Sequence, residues 1–167
     1  MLPPRFRARG PAAAASQNAP VVLVNGAASS LGSASLAELT ELGVTHVVIV
    51  GGTAAVSPSI QSELNARYPG AVTRLGGADR YATSLDVNSK YFSSPKQVYL
   101  ATGSNFPDAL TGGLLAAENH APILVTPSSC ITSADATAFA HWGTTEATLL
   151  GGTSALGAGV QNLTTCN

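Results

Sequence analysis

Short apolar, β-branched runs alternate along this chain with segments that carry an apolar residue every three or four positions. The apolar runs are unbroken, which is typical of parallel strands buried on both faces. The intervening segments begin with capping residues and end near glycine, as helices do. The predicted strands cover residues 21–24, 47–50, 71–75, 98–101, 123–125 and 148–150.

Start and stop signals accompany the predicted helices. Ser35 and Glu38 have the spacing of a capping box, and Gly43 is placed to end that helix in the left-handed conformation. The other predicted helices start with Ser57-Pro58, Asp79, Pro107 and Thr132, and the last covers about residues 158–163. Strands that alternate with helices predict a doubly wound, Rossmann-like α/β fold with a mostly parallel sheet and helices on both faces.

An internal repeat is superimposed on this alternation. The segment THVVIVGGTAAVSPSIQSEL from Thr45 aligns without a gap with TEATLLGGTSALGAGVQNL from Thr145, 100 positions later. The apolar runs after Pro20 and Pro122 correspond at nearly the same offset. The chain therefore contains about one and a half copies of a repeat of roughly 100 residues.

Residues 1–19 have a different character, with three arginines, three prolines and no periodicity. The charge and the small residues fit an export signal, but the apolar stretch is too short for one. We expect a disordered N-terminal tail, or the remnant of an export segment, followed by one α/β domain over residues 20–167.

Composition and charge narrow the function. Hydrophobic residues make up 45% of the 167 residues and charged residues only 10%, which excludes intrinsic disorder. No apolar run approaches the length of a membrane span. Of the 8 basic side chains, Arg5, Arg7 and Arg9 lie in the tail, which leaves 5 against 9 acidic side chains and a net charge of −4 over residues 11–167. Without a basic stripe, nucleic acid is not expected as a partner.

Motifs of enzymes are weak in this sequence. The segment VNGAASSLG from Val24 follows a predicted strand as a dinucleotide-binding turn would, but no carboxylate ends the next strand to hold a ribose. No G-x-S-x-G elbow occurs, and the histidines and cysteines lack the spacing of metal ligands, so neither a metal nor a cofactor is predicted. The alternative is a hydrolase or a vestigial nucleotide-binding fold with its site at the predicted Ser104–Asp108 rim of the sheet.

The two cysteines, Cys130 and Cys166, flank the last predicted strand and helix. In an exported chain an even count favours a disulfide, which would tie the C-terminal segment to the loop after the fifth strand. Two free, partly buried thiols are the alternative, and the choice depends on export.

Four ordered motifs carry a resemblance to a known family. They are RLGGADRYAT from Arg74, NFPDAL from Asn105, APILV from Ala121 and GGTSAL from Gly151, and GGTAAVS from Gly51 repeats the last of them. Over about residues 20–165 the sequence resembles the cell wall binding repeat 2 family.

The resemblance implies a secreted surface protein of Gram-positive bacteria that is held on the cell wall without catalysis, by non-covalent binding of an anionic secondary polymer. Family members typically carry three repeats that pack as a pseudo-threefold trimer, so with one and a half repeats we expect either a homotrimer of separate chains or a fragment. The Pro-Ile-Leu-Leu segment that the family uses in polymer binding corresponds to Pro122, Ile123, Leu124 and Val125, with valine at the last position.

Arg74, Arg80 and Tyr81 complete the candidate polymer-binding residues. The two arginines could pair with phosphate in bidentate fashion, and Tyr81 could stack on a sugar or pack on the sheet. By pattern alone, residues 123–125 are a buried strand, and Asp108 is expected to interact with the dipole of its own helix. A further alternative is a self-assembling surface-layer component in which the repeat faces bind each other.

Overall fold

Helices and strands alternate from Ser33 onward, as the hydrophobic pattern predicts. The computed structural model describes residues 12–167. Its helices are α1 (Ala12–Ser16), α2 (Ser33–Glu41), α3 (Pro58–Arg67), α4 (Arg80–Tyr91), α5 (Pro107–Glu118), α6 (Ser133–Trp142) and α7 (Ala158–Gln161). Its strands are β1 (Val47–Val50), β2 (Val72–Leu75), β3 (Gln97–Thr102), β4 (Ile123–Thr126) and β5 (Glu146–Leu150).

The described chain divides into two units. The N-terminal unit covers Val22–Thr83, and the C-terminal unit covers Ser84–Asn167 together with residues 12–21. Each unit contains its own parallel sheet and its own apolar core.

The sheet of the C-terminal unit has β3 at its centre, between β4 and β5, with every pairing parallel. The apolar run of β3 is buried on both faces, which is why it is continuous in the sequence. Leu100 faces a core that includes Phe139 and Trp142 of α6. Tyr99 faces the other core, which includes Ala116 of α5. Helices therefore cover both faces, and the predicted doubly wound α/β fold is confirmed.

The sheet of the N-terminal unit pairs β1 with β2 in parallel, with Ile49 opposite Arg74. Ile49 packs with the apolar side chains of α2 and α3, among them Leu39, Ile60 and Leu64. The three- and four-residue spacing of the apolar positions in α3 places Ile60 and Leu64 on the one face that is buried.

The strand predicted at residues 21–24 is absent, and that prediction was wrong. These residues have no regular secondary structure and belong to neither sheet, and Leu23 is 90% exposed. The equivalent run in the C-terminal unit is β4, which bonds to β3. A backbone segment becomes a strand only when a neighbouring strand pairs with its N–H and C=O groups, and within residues 12–167 the N-terminal unit has no counterpart of β3.

Most of the predicted helix caps are present. Ser57 Oγ accepts from Ile60 N–H at 3.3 Å, and Asp79 Oδ1 accepts from Ala82 N–H at 2.8 Å. Thr132 and Asp135 form a reciprocal capping box. The predicted capping box of Ser35 and Glu38 was wrong: α2 begins at Ser33, after Gly32, and no side chain caps it.

The end of the N-terminal segment is ordered. Residues 12–16 form α1, and Ala12 and Ala13 are buried against α5 in the core of the C-terminal unit. This corrects the predicted disordered tail over its last part, because two small side chains can pack closely on a helix surface. Residues 1–11, which carry the three tail arginines, lie outside the described part of the chain.

Cys130 and Cys166 are joined in a disulfide, which confirms that pairing. Their Cα atoms are 5.1 Å apart. Ile131 beside the bridge accepts from Cys166 N–H and donates to Thr164 C=O, each at 2.9 Å. The C-terminal segment is thus fixed to the loop after β4. Within residues 12–167 no helix has the length and apolar character that crossing a membrane requires.

Candidate functional site

The candidate polymer-binding residues fall into two groups, one in each unit. Arg74 lies in β2, and Arg80 and Tyr81 begin α4, so these three residues follow one another around the end of β2 in the N-terminal unit. Residues 122–125 enter and form β4 in the C-terminal unit.

Arg74 is held in place by two hydrogen bonds at the carboxyl edge of the β1–β2 sheet. Nη1 donates to Gly51 C=O at 2.7 Å, and Nε donates to Gln61 Oε1 at 2.9 Å. Nη2 is buried and finds no acceptor within residues 12–167. This arginine therefore presents a fixed guanidinium group, with the Nη2 nitrogen still unused, over the turn that follows β1.

Glycines allow the ends of β1 and β2 to approach closely. Gly51 has φ +120°, which side-chain-bearing residues rarely adopt. A Cβ on Gly76 would lie 2.6 Å from the carbonyl carbon of Gly51, so the two glycine turns touch through their backbones. The Gly-Gly pairs of the sequence motifs thus have a steric reason at this rim.

Arg80 and Tyr81 occupy the first turn of α4, with Arg80 exposed and Tyr81 half-buried. The carboxylate of Asp79 already bonds the backbone there. Arg67, Arg74 and Arg80 are the only arginines of residues 12–167, and they lie within a short stretch of chain. Two of them, Arg74 and Arg80, lie around the end of β2, in a body whose net charge is negative.

The segment from Pro122 to Val125 is largely built into the sheet. The side chains of Pro122 and Leu124 are buried, and those of Ile123 and Val125 are half-buried. The outer edge of β4 is also occupied: Val125 N–H donates to Ser84 Oγ at 3.0 Å, and Ile123 C=O accepts from Asn88 Nδ2 at 2.8 Å. Contact with a ligand from this segment is therefore confined to the side chains of Ile123 and Val125.

Three residues that matter to these sites were missed in the sequence. Gln61 orients Arg74, while Ser84 and Asn88 bond the edge of β4. Ser84 and Asn88 lie four residues apart and so share one helix face with the apolar Leu85 nearby. Polar side chains at helical spacing on an otherwise apolar face were the available signal.

The rim between Ser104 and Asp108 holds no catalytic arrangement among the described residues. Ser104 is exposed and its backbone N–H donates to Thr102 Oγ1 at 3.2 Å, but no base lies within hydrogen-bond reach of its Oγ in residues 12–167. Asp108 lies in the first turn of α5, and a Cβ on Gly151 would be 2.6 Å from its Oδ2. The carboxylate therefore also covers the glycine turn after β5, a contact that the sequence did not predict.

Both units carry a parallel sheet with a glycine turn of the same conformation at a strand end, Gly51 in one and Gly151 in the other. The sequence matches the family model of cell wall binding domain 2 (CWB2) over residues 9–61 and 74–161, and the chain belongs to this family. Family membership supports a cell-wall binding role and a location at the cell wall or outside the cell.

Relatives and solved structures agree with this assignment. N-acetylmuramoyl-L-alanine amidase LytC of Bacillus subtilis is 30% identical over 113 residues, which is 68% of this chain and 21% of that protein. Cwp6 and Cwp8 of Clostridium difficile superpose with TM-scores of 0.80 and 0.77 at 27% identity, over 90% and 91% of this chain but only 24% and 26% of theirs. The chain thus spans about a quarter or less of each of these three proteins, and the amidase activity is named for LytC as a whole.

Proposed function

We propose that this chain is a non-catalytic module that binds an anionic secondary glycopolymer of the cell wall and so anchors the protein that carries it. The observation that carries this proposal is the CWB2 match, which extends over both the partial and the fuller repeat. The two arginines around the end of β2, Arg74 and Arg80, support an anionic ligand, since guanidinium groups pair well with phosphate and carboxylate.

The residues of the binding surface are assigned by their exposure and chemistry. Arg80 supplies an exposed positive charge, and Arg74 supplies one that its hydrogen bonds hold in place. Tyr81 supplies a partly exposed ring that can stack on the face of a sugar. In the C-terminal unit, Ile123 and Val125 offer apolar contact, while Pro122 and Leu124 hold the strand in place. Each site is small, and repetition of such sites raises the effective concentration of the polymer.

Co-sedimentation with Gram-positive sacculi tests this function. The full chain is incubated with purified sacculi before and after mild acid has removed the secondary polymers. We expect the chain to sediment with the intact sacculi and to remain in solution with the stripped ones. Equal sedimentation with both preparations would reject the glycopolymer as the ligand.

Substitution of the exposed arginine tests the site. Arg80→Ala removes a cation at the first turn of α4, and we expect binding to sacculi about tenfold weaker, as for the loss of one charged hydrogen bond. Lys90→Ala is the matched control, because it removes a cation from the last turn of the same helix. If both variants bind equally, Arg80 has no specific role.

Self-association is a second candidate property, and we propose that copies of this chain form a homotrimer. Four apolar side chains on one side of α5 support it: Phe106 is 73% and Leu110 64% exposed, and Leu114 and Leu115 are also exposed. An apolar stripe of this kind favours burial against another surface. Sedimentation equilibrium should give a trimer for the unmodified chain and a monomer for Leu110→Glu, with Thr137→Glu at an exposed position of α6 as control. A monomer for the unmodified chain would contradict this assignment.

A further inference from the structure

The same glycine turn occurs once in each unit. Gly51 and Gly151 have φ +120° and +115°. Ser57 N–H donates to Gly26 C=O at 2.8 Å, and Gly157 N–H donates to Ser128 C=O at 2.7 Å. These matching bonds fix the equivalence of the two repeats, so that residues 20–26 correspond to residues 122–128.

In the C-terminal unit, one strand and one helix complete the surroundings of this turn. β3 lies between β4 and β5, and α5 packs on all three strands. Gly112 of α5 lies directly against Leu150 of β5, and the Asp108 carboxylate covers Gly151. β3 thus separates β4 from β5, and α5 covers all three strands. Both β3 and α5 belong to the segment from Gln97 to Glu118.

The N-terminal unit leaves the equivalent apolar positions uncovered. Val50, the counterpart of Leu150, is 54% exposed, and Val48 is 41% exposed. Leu23, the counterpart of Val125, is almost fully exposed. Within residues 12–167, no strand bonds to residues 21–24 as β3 bonds to β4. The unit therefore has the two flanking segments of a three-stranded sheet without the central one.

The glycine turns of the two units carry side chains of opposite charge, an arginine at Gly51 and an aspartate at Gly151. In the N-terminal unit the Arg74 guanidinium bonds Gly51 C=O and keeps a buried Nη2 that no acceptor within residues 12–167 reaches. In the C-terminal unit the carboxylate at the equivalent turn is Asp108. A unit with both a β2-like strand and an α5-like helix would bring the arginine and the aspartate to the same turn.

We propose that the N-terminal unit accepts a strand–helix segment of the class of Gln97–Glu118, supplied by a further repeat of this family. Its apolar strand pairs with β1 and with residues 21–24, and its helix covers Val48 and Val50. The aspartate in the first turn of that helix, the counterpart of Asp108, binds the Arg74 guanidinium. This surface shares Arg74 with the proposed polymer-binding surface, but its test does not depend on the wall.

Insertion of such a segment into the chain tests the proposal. A copy of residues 97–121 is placed between Ala19 and Pro20, which reproduces the natural Ala121–Pro122 junction. Hydrogen exchange is then followed by NMR, with the amides of native β3 as the standard for a folded C-terminal unit. We expect the amides of Val22 and Val24, the counterparts of Leu124 and Thr126 on the edge that faces β3, to gain about tenfold or more in protection, because open exchange is replaced by strand bonding. Exchange as fast as in the parent chain would overturn the docking.

The arginine–aspartate pair is tested by a cycle of variants within this insertion protein. In the inserted copy, the residue that corresponds to Asp108 is either kept as aspartate or changed to asparagine. Each of these two proteins is made with Arg74 and with Arg74→Lys, which gives four variants. We expect Asn to lower the protection of Val22 about tenfold when Arg74 is present, as for loss of a charged hydrogen bond, and much less when Lys replaces it. Equal effects in both backgrounds would overturn the pairing.

A second form of the test avoids the insertion itself. A synthetic peptide of residues 97–121 is titrated into the unmodified full chain, and the amide shifts of residues 21–24 and the Nε–H signal of Arg74 are followed. Saturable shifts at both places support the proposal, and a scrambled peptide should produce none. Spectra that do not change with the peptide overturn it.

Discussion

Single polar side chains determine where the helices of this protein begin. Thr132 accepts from Asp135 N–H at 3.0 Å, and Asp135 Oδ2 accepts from the Thr132 hydroxyl at 2.7 Å. Asp135 is buried, so its carboxylate depends on these partners. The sequence predicted Thr132 as a cap because threonine before an apolar helix is a common start signal.

Loss of this cap should destabilise the C-terminal unit. Thr132→Ala removes the hydroxyl that bonds Asp135, and we expect the free energy of unfolding to fall by about 1–2 kcal/mol. Urea denaturation followed by the fluorescence of the single tryptophan, Trp142, measures it. Thr137→Ala is the control, because this exposed hydroxyl bonds only a carbonyl of its own helix. A Thr132→Ala midpoint equal to that of the control would contradict the assigned role.

At the scale of elements, the edge of β4 is closed by side chains of α4. Ser84 accepts from Val125 N–H and Asn88 donates to Ile123 C=O. The edge of a strand is otherwise open to pairing with another chain. Hydrophobic periodicity placed α4 and β4 correctly, but it could not show that two polar side chains of one would bond the backbone of the other.

Removal of Ser84 Oγ should expose this edge. In Ser84→Ala the Val125 N–H loses its acceptor, and we expect a loss of about 1 kcal/mol in unfolding free energy. Hydrogen exchange at Val125 should accelerate, while exchange at Leu100 in β3 should not. Ser89→Ala, an exposed serine of the same helix, is the control. Unchanged exchange at Val125 would show that this hydrogen bond does not protect the strand.

At the scale of the whole molecule, the disulfide closes the C-terminal unit. The cysteines are 36 positions apart in sequence, and the bridge encloses α6, β5 and α7. A covalent link of this kind restricts the unfolded chain more than the folded one. The bridge therefore stabilises the unit chiefly through the states it removes from the unfolded ensemble.

Replacement of both cysteines should weaken the C-terminal unit. For Cys130→Ser with Cys166→Ser we expect the free energy of unfolding to fall by about 3–4 kcal/mol, the value of the chain-entropy model for a loop of this size. Urea denaturation followed by Trp142 fluorescence measures it, and the unmodified chain in reductant should behave like the double variant. A midpoint that is unchanged by both treatments would mean that the bridge adds no stability.

The sequence alone determined the local structure and the family. Unbroken apolar runs, caps and glycine turns depend on neighbours in the chain, which is why β1 to β5 and most helix starts could be predicted. The ordered motifs from Arg74 to Gly151 likewise pointed to cell wall binding. The same reasoning failed at residues 21–24, because an apolar run does not reveal whether another strand is present to pair with it.

Only the tertiary structure decided which side chains face one another. It placed Pro122 and Leu124 in the interior, set Arg74 over the turn at Gly51, and set Asp108 over the turn at Gly151. These contacts join residues that are far apart in sequence, and no local pattern encodes them. The physical reason is that burial and pairing depend on the packing of whole elements, whereas sequence periodicity reports only which face of each element is apolar.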